Sequence, residues 1–328
     1  MSRLATPMQT GTATALSSGP IAGARRSRLG MAVRSLMALA LVVILVCVLL
    51  SGYVGWQLTH PARNYPSPTP AALGLSYSNV QFPSQQGNIL LRGWFLPAGA
   101  STRTVIMAHG YRGHRFAESG SLLLAAALVH HGFNVLAFDF RGEGQSQGTL
   151  VSIGQDERYD VLGAVQYLNR RFAGRDPHIG VLGFSMGAAT ALLTAPLDTR
   201  DIRAVVSDSS FADLYSYLED HISTWSHLPS VPFNALILWE TPLLTGLDPH
   251  KVSPIAAVRA LPQTPVLFIA GLADNTIPYS DTVRLAQAAT DPADTLWLVP
   301  GADHTKAYQV QPRAYERRVL AFFSRYLG

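Results

Sequence analysis

The sequence predicts an α/β fold, a mostly parallel sheet flanked by helices, with one transmembrane helix ahead of it. Three observations support this prediction. From residue 76 onward, short apolar runs alternate with helical patterns, which is typical of strands joined by crossover helices. The later runs are apolar throughout, as expected of strands covered on both faces. A stretch of 22 uncharged residues lies near the N-terminus.

The composition is typical of a folded chain and excludes several classes of function and site. Of 328 residues, 48% are hydrophobic and 14% charged, so the chain can bury a sizeable core. Residues 64–328 carry 19 basic and 21 acidic side chains, a net charge of −2, so the overall charge of +4 belongs to the N-terminus. No nucleic-acid partner is therefore expected. Because Cys47 is the single cysteine, an intramolecular disulfide and a cysteine-based zinc cluster are excluded.

Residues 35–56 are predicted to form a transmembrane helix. About 20 apolar residues span the hydrocarbon layer, and this stretch has neither a charge nor a polar face. Tyr53 and Trp56 lie at its C-terminal end, where aromatic rings prefer the membrane interface. Four arginines between residues 25 and 34 precede it. The positive-inside rule then predicts that residues 1–34 are a flexible basic cytoplasmic tail and that the C-terminal domain is extracytoplasmic.

A cleaved signal peptide and a lipoprotein signal are the alternatives for this stretch. Residues 51–59 contain no Ala-x-Ala-like cleavage site, and the region ahead of the apolar core is long for a signal peptide. A lipoprotein signal needs a small residue before its cysteine, where Val46 stands. An uncleaved anchor is therefore favoured. Residues 57–75 are rich in proline and are expected to form a stiff linker that lifts the domain off the bilayer.

Residues 76–328 are predicted to form one domain whose elements alternate along the chain. The predicted strands are Asn79–Phe82, Ile89–Leu96, Thr104–Ala108, Asn134–Phe138, Ile179–Leu182, Ala204–Val206, Val266–Ile269 and Thr295–Val299. The predicted helices are Phe116–His131, Gln155–Phe172, Met186–Ala195, Ser280–Ala289 and Pro312–Tyr326. Residues 211–260 interrupt this alternation with aromatic residues and prolines, and we expect them to form a helical, lid-like insertion.

The run Gly183-Phe-Ser-Met-Gly187 lies between a predicted strand and a predicted helix. A nucleophile on such a sharp turn needs strained backbone angles, and Gly183 and Gly187 remove the steric conflict around it. The alternative is a tight turn with a solvent-facing serine. Because the strand–turn–helix context is what the motif requires, Ser185 is the predicted nucleophile.

A nucleophilic serine needs a base and a carboxylate that orients the base. Asp274 and His304 each follow a predicted strand, in the chain order Ser, acid, His. The alternative for Asp274 is a helix cap, and the alternative for His304 is a histidine in a surface loop. Asp208 and Asp303 are rival acids. Asp303 is expected to point elsewhere, whereas Asp208 also has access to the site, and Asp274 is favoured over both.

The loop that starts at His109-Gly110 supplies a candidate oxyanion hole. Its glycines let the backbone turn so that the Tyr111 N–H pairs with the Met186 N–H, next to the nucleophile. His109 and His114 have no carboxylate in this loop and no third histidine, so no metal site is predicted. No cofactor is expected for this chemistry.

From about residue 78 to the C-terminus, the sequence resembles the α/β-hydrolase superfamily, in the style of its esterase- and aminopeptidase-like serine hydrolases with a helical lid. One departure is Ala188, where many relatives have a second glycine. The resemblance implies an α/β-hydrolase fold and, as in membrane-tethered members, an N-terminal anchor. The matching motifs occur in the family's order: His109-Gly110, Asp139–Ser146 (by the resemblance a structural loop), Gly183–Gly187, Asp274 with Ile277-Pro278, and Gly301–His304.

The predicted function is a membrane-anchored serine hydrolase that cleaves a carboxylic ester through an acyl-enzyme on Ser185. The aromatic-rich insertion and the tether favour a lipid-like acyl substrate, although the same aromatics also serve simply to pack a lid on a sheet. Two alternatives stay open. One is a serine aminopeptidase or thioesterase that uses the same site, and the other is a catalytically silent, membrane-tethered binding protein.

Overall fold

The fold is described from a computed structural model, which covers residue 11 and residues 21–261 and 263–328. Of the tail predicted for residues 1–34, residues 1–10 and 12–20 lie outside the described residues. By its internal contacts the chain divides into two units, Met1–Leu49 and Leu50–Gly328. All elements after the first helix belong to the second unit.

The first helix, α1, spans Ile21–Thr59 and is longer than the stretch predicted from the absence of charge. Its sequence contains no proline between Pro20 and Pro61, so nothing interrupts the backbone hydrogen bonds on either side of the apolar core. Its Arg28–Thr59 portion reaches a mean hydropathy of 2.8 over 18 residues. This length and composition fit a membrane span and fit an N-terminal signal sequence equally well.

Within the described residues, eight strands form one sheet in the order β1-β2-β4-β3-β5-β6-β7-β8. Strands β3 to β8 run parallel, and the antiparallel pairs are β1 with β2 and β2 with β4. The central strands are buried on both faces, which explains their unbroken apolar runs. The strands are Ser78–Pro83, Leu90–Leu96, Arg103–Ala108, Asn134–Phe138, His178–Phe184, Ile202–Asp208, Val266–Gly271 and Thr295–Val299, as β1 to β8.

Helices cover the sheet, so the predicted fold class is confirmed. Among the predicted helices, the first differs most: it begins at Ser121 rather than Phe116 because Gly120 has a φ of +86° and the Glu118 side chain turns back to the Gly110 N–H. After α1, the α-helices of the described residues are Ser121–His130, Glu157–Arg171, Met186–Thr194, Leu214–Ser226, Ser230–Thr245, Pro254–Arg259, Tyr279–Ala288, Ala307–Val310 and Pro312–Leu327, as α2 to α10.

The interval between β6 and β7 forms the helical lid. Helix α5 begins at an Asp213 side chain that accepts a hydrogen bond from the Ser216 N–H, and α5 packs against α6. Their inward faces bury apolar side chains, among them Leu218, Ile222 and Ile237. The lid thus adds an apolar layer at one end of the sheet.

Residues 59–64, at the beginning of the Pro-rich segment, are hydrogen-bonded to loops of their own unit. The Val151 N–H donates to the Thr59 carbonyl at 2.8 Å. The Arg63 guanidinium donates to the carbonyls of Glu143, at 3.3 Å, and Ser146, at 2.6 Å. The Asn64 side-chain amide donates to the Arg112 carbonyl at 2.8 Å. The expected spacer is therefore wrong for residues 59–64, because these residues are hydrogen-bonded to the loops after β3 and β4.

Candidate active site

Ser185 lies on the turn between β5 and α4. Its φ of +53° and ψ of −117° are strained for a residue with a side chain, and its N–H donates to the Asp208 carbonyl at 2.8 Å. A Cβ on Gly183 overlaps the Gly187 carbonyl, and one on Gly187 overlaps the Ala108 carbonyl. The two glycines of the motif are therefore required by close backbone packing, which holds the serine in this conformation.

Three of the predicted side chains form one hydrogen-bonded chain. His304, in the loop after β8, has its Nε2 2.9 Å from the Ser185 Oγ and its Nδ1 2.8 Å from the Asp274 Oδ2. Asp274, in the loop after β7, accepts from the N–H groups of Thr276 and Ile277 at 2.9 Å each through Oδ1. Its side chain is buried. The carboxylate is thus fixed in place and favours the tautomer in which Nε2 is free to accept a proton from the serine.

The two rival acids are bound elsewhere. Asp208 accepts from the Tyr315 hydroxyl at 2.9 Å and from the Ser209 hydroxyl at 3.0 Å, and burial raises its pKa to about 6. Asp303 is partly exposed, and its carboxylate pairs with the Lys306 ammonium group at 3.2 Å. Neither donates to or accepts from the His304 ring. Asp208 therefore lies beneath the site, in the polar layer that supports the loop after β8.

The loop after β3 places main-chain N–H groups beside the serine. Among the described residues, neither the Tyr111 N–H nor the Met186 N–H has a protein acceptor. His109 does not face the substrate side: its Nδ1–H donates to the Gly110 carbonyl at 2.7 Å and its Nε2 accepts from the Phe140 N–H at 3.0 Å. Burial lowers the pKa of His109 to about 4, so the ring is a neutral link between two loops.

Comparisons with known proteins show the family to which this chain belongs. Residues 93–232 match the family model described as X-Pro dipeptidyl-peptidase (S15 family). YqkD of Bacillus subtilis is 30% identical over 71% of this chain and 74% of its own length, and Rv2307c of Mycobacterium tuberculosis is 30% identical over 85% and 91%. The esterase Pf2001 of Pyrococcus furiosus superposes with a TM-score of 0.70, at 28% identity, over 83% of this chain and 99% of its own.

This chain belongs to the α/β-hydrolase superfamily. Within it, the chain is a serine hydrolase of the esterase or peptidase type. Among the described residues, no group of three His, Cys, Asp or Glu side chains is arranged to hold a metal ion.

The hydrolase has one further carboxylate near its serine, which the sequence reasoning missed. The partly buried Glu118 accepts the Gly110 N–H at 2.5 Å and so holds the loop that carries Tyr111. Burial raises its pKa to about 7, although the hydrogen bond from Gly110 lowers it. One signal was available: Glu118 is the only Asp, Glu, Lys or Arg between residues 116 and 138. A lone acid in so apolar a segment is expected to have a specific partner.

The motif Asp139–Ser146 supports the site without entering it. Asp139 is buried and accepts from the Arg115 guanidinium at 2.5 and 3.0 Å and from the Gln145 N–H at 2.8 Å. Burial alone raises the pKa of this carboxyl, but the hydrogen bonds and charge of Arg115 lower it below its ordinary value. The ion pair thus fastens the loop before α2 to the loop after β4.

A cavity of about 760 Å³ opens in front of Ser185 and His304. No Asp or Glu lines it within the described residues, and Arg112 is its one Lys or Arg. One wall comes from the end of α1, through Tyr53, Val54, Gln57 and Leu58. The roof comes from the lid, and its apolar lining includes Phe211, Leu214, Tyr217, Leu218, Ile222 and Ile237.

Proposed function

We propose that this protein is a membrane-anchored serine hydrolase that cleaves carboxylic esters. The observation that carries the proposal is the hydrogen-bonded chain Ser185–His304–Asp274 at the floor of an apolar cavity. The volume of that cavity, about 760 Å³, lies in the range of small-molecule sites. The nucleophile and its base therefore face space for an acyl group, and the orienting acid is buried behind the base.

The proposed reaction is acyl transfer to water in two steps. His304 Nε2 takes the proton as the Ser185 Oγ attacks the ester carbonyl, and the N–H groups of Tyr111 and Met186 stabilise the oxyanion. His304 then protonates the departing alcohol, which leaves an acyl-enzyme on the serine. A water molecule, deprotonated by His304, attacks that acyl group, and His304 returns the proton to the Ser185 Oγ as the carboxylic acid leaves. Asp274 stabilises the imidazolium in both steps.

An ester is favoured over a peptide by the lining of the cavity. An aminopeptidase-type site has to compensate the positive charge of a substrate amino terminus, usually with a carboxylate. No carboxylate lines this cavity within the described residues. The Pyrococcus furiosus relative is an esterase, which supports the same choice, whereas the matched family model describes a peptidase. Amide substrates therefore belong in the test.

We further propose that α1 remains uncleaved and anchors the protein, with the Leu50–Gly328 unit on the extracytoplasmic side. The arginines before the apolar stretch and the missing cleavage site support this topology. Two measurements on intact cells test it. The mature chain should keep its full mass in the membrane fraction, and external protease should digest the C-terminal unit. A shortened mature chain contradicts the anchor, and a protected unit contradicts the orientation.

Labelling by a fluorophosphonate tests the catalytic proposal. The wild-type chain should be labelled, and Ser185→Ala should lose the label and reduce kcat by about 10⁴-fold or more. Ser226→Ala, which changes another serine that lines the cavity, is the matched control and should be labelled like the wild type. A folded wild-type protein without label supports the catalytically silent binding protein instead.

The substrate class is then tested with p-nitrophenyl esters of graded acyl length, acyl thioesters and aminoacyl amides. The proposal predicts that kcat/KM is highest for esters. Faster cleavage of aminoacyl amides or of thioesters replaces the esterase by a peptidase or thioesterase on the same three residues.

A further inference from the structure

The outer surface of the lid is apolar. On α6, the exposed positions Ala235, Trp239 and Leu243 recur every four residues and form one stripe along the helix, and the exposed Val231 precedes this stripe at a kink where its φ and ψ are non-helical. Val231, Trp239 and Leu243 are 83%, 65% and 71% exposed. The only charged residue of α6 is Glu240, and it is buried. A surface helix normally presents polar side chains to water, so this stripe lacks the partner that its composition requires.

The same helix contacts the end of α1 within the Leu50–Gly328 unit. The two helices approach each other at glycines. A Cβ added to Gly52 would lie 3.1 Å from the Glu240 carboxylate, and one added to Gly55 would lie 2.5 Å from the Thr241 hydroxyl. The Tyr111 hydroxyl also donates to the Leu58 carbonyl at 2.6 Å. The last turns of α1 therefore contact the lid and form one wall of the cavity.

Chain connectivity relates this wall to a bilayer. The most apolar part of α1 ends at Leu50, and the residues that line the cavity begin at Tyr53, one helical turn later. If residues 35–50 occupy hydrocarbon, residues 53–58 lie near the membrane surface, because only Ser51 and Gly52 separate the two segments along the chain. Exposed tryptophans on α1 and on both lid helices, Trp56, Trp225 and Trp239, have the amphipathic rings that favour this interface.

We propose that the stripe on α6 lies in the membrane interface and that the cavity takes its substrate, a long-chain carboxylic ester dissolved in the bilayer, directly from the lipid. The inference rests on the proposed esterase function. The bilayer is the partner that the chain itself supplies, because α6 contacts Gly52 and Gly55, which directly follow the apolar stretch in the sequence. The uncharged lid lining and the α1 wall receive the acyl chain, and the ester carbonyl reaches Ser185.

The test uses the full-length chain in phosphatidylcholine vesicles and measures two substrates. One is dioleoylglycerol in the same vesicles, followed by release of oleic acid, and the other is water-soluble p-nitrophenyl butyrate. Leu243→Glu and Trp239→Glu place a charge on the stripe. Leu197→Glu is the matched control, because Leu197 is 52% exposed in the short turn that follows α4 and does not line the cavity. Equal rates of fluorophosphonate labelling verify that each variant is folded.

We expect the stripe variants to lower dioleoylglycerol hydrolysis at least tenfold and to change butyrate hydrolysis by less than twofold. Leu197→Glu should change neither rate. Equal rates on dioleoylglycerol for the wild type and both stripe variants overturn the proposal. So does a wild-type dimer that becomes monomeric in Leu243→Glu, because a second copy then covers the stripe.

The two levels of the proposal fail differently. Hydrolysis of butyrate without hydrolysis of dioleoylglycerol by the wild type overturns the lipid substrate and leaves the esterase function intact. If neither substrate is hydrolysed and the chain is not labelled, the esterase function itself is wrong.

Discussion

Two regions surround the serine and hold their side chains in different ways. One is the set of loops after β5, β7 and β8, and the other is the lid. At the strand ends, every polar atom of the Asp274 carboxylate is matched by a donor, and the His304 ring is held at both nitrogens. The lid side chains that line the cavity are mostly apolar, and few of them form hydrogen bonds. Directional bonds fix atoms to within tenths of an ångström, whereas apolar contacts tolerate a range of shapes.

This difference separates chemistry from specificity. The strand-end loops determine which bond-breaking reaction is feasible, because proton transfer needs fixed distances. The lid and the end of α1 determine which acyl group is accepted, and their apolar surface discriminates chains by only about 0.8 kcal/mol for each methylene. Substitutions in the two regions should therefore have effects of different size and kind.

The largest effect is expected from the acid of the strand-end loops. Asp274→Asn should lower kcat by about 10⁴-fold, because an amide favours the wrong tautomer of His304 and does not stabilise the imidazolium. Asp208→Asn makes the same chemical change one layer below and should lower kcat less than tenfold. Steady-state kinetics on p-nitrophenyl butyrate measures both. A larger loss in Asp208→Asn transfers the role of orienting acid to Asp208.

The same division decides what the sequence was able to predict. Ser185, Asp274 and His304 follow strands, and the carboxyl ends of parallel strands meet at one edge, so their proximity was predictable from strand order alone. The eight strands were predictable for the same reason, because a continuous apolar run is a local signal. Chemistry that depends on strand ends is thus accessible from one sequence.

Three features were not accessible because they depend on long-range packing. The Glu118 bond to the Gly110 N–H requires a helix to start five residues later than its apolar pattern indicates. The anchoring of Arg63 depends on carbonyls some 80 residues away. The contact of Gly52 with α6 depends on a helix whose position no periodicity gives. Each of these contacts is made between segments that are far apart in the sequence, and the pattern of one segment does not indicate the position of the other.

The second largest effect concerns stability at Glu118. With the folded pKa near 7 and the ordinary value of 4.5, the folded protein keeps a proton in this pH window that the unfolded chain has released. The free energy of unfolding therefore falls as pH rises from about 5 to 7, by up to about 3 kcal/mol from this group.

Glu118→Gln removes that titration, since its amide oxygen still accepts the Gly110 N–H and carries no charge. The variant should lose less stability than the wild type between pH 5 and pH 8, as measured by chemical denaturation in mild detergent. Parallel pH dependences for the two proteins disprove the assignment of this titration to Glu118.

A smaller effect is expected where α1 forms the cavity wall. Tyr53 is 59% exposed, so its truncation should not disturb folding. Tyr53→Ala should lower kcat/KM for a p-nitrophenyl decanoate by about tenfold, the equivalent of nearly two buried methylenes. Its ratio of decanoate to acetate hydrolysis is the informative measurement. An unchanged ratio means that the acyl chain runs along the lid and does not touch α1.

The smallest effect is expected where the two regions join. Burial raises the pKa of Tyr111 to about 12, so its hydroxyl stays protonated and donates to the Leu58 carbonyl. Tyr111→Phe removes this one bond and should lower the free energy of unfolding by about 1 kcal/mol. Because the proposed oxyanion donor is the Tyr111 main-chain N–H, kcat on butyrate should stay within about threefold of the wild type. A hundredfold loss would assign the transition-state contact to the phenol, and the end of α1 would then belong to the chemistry and not only to the wall.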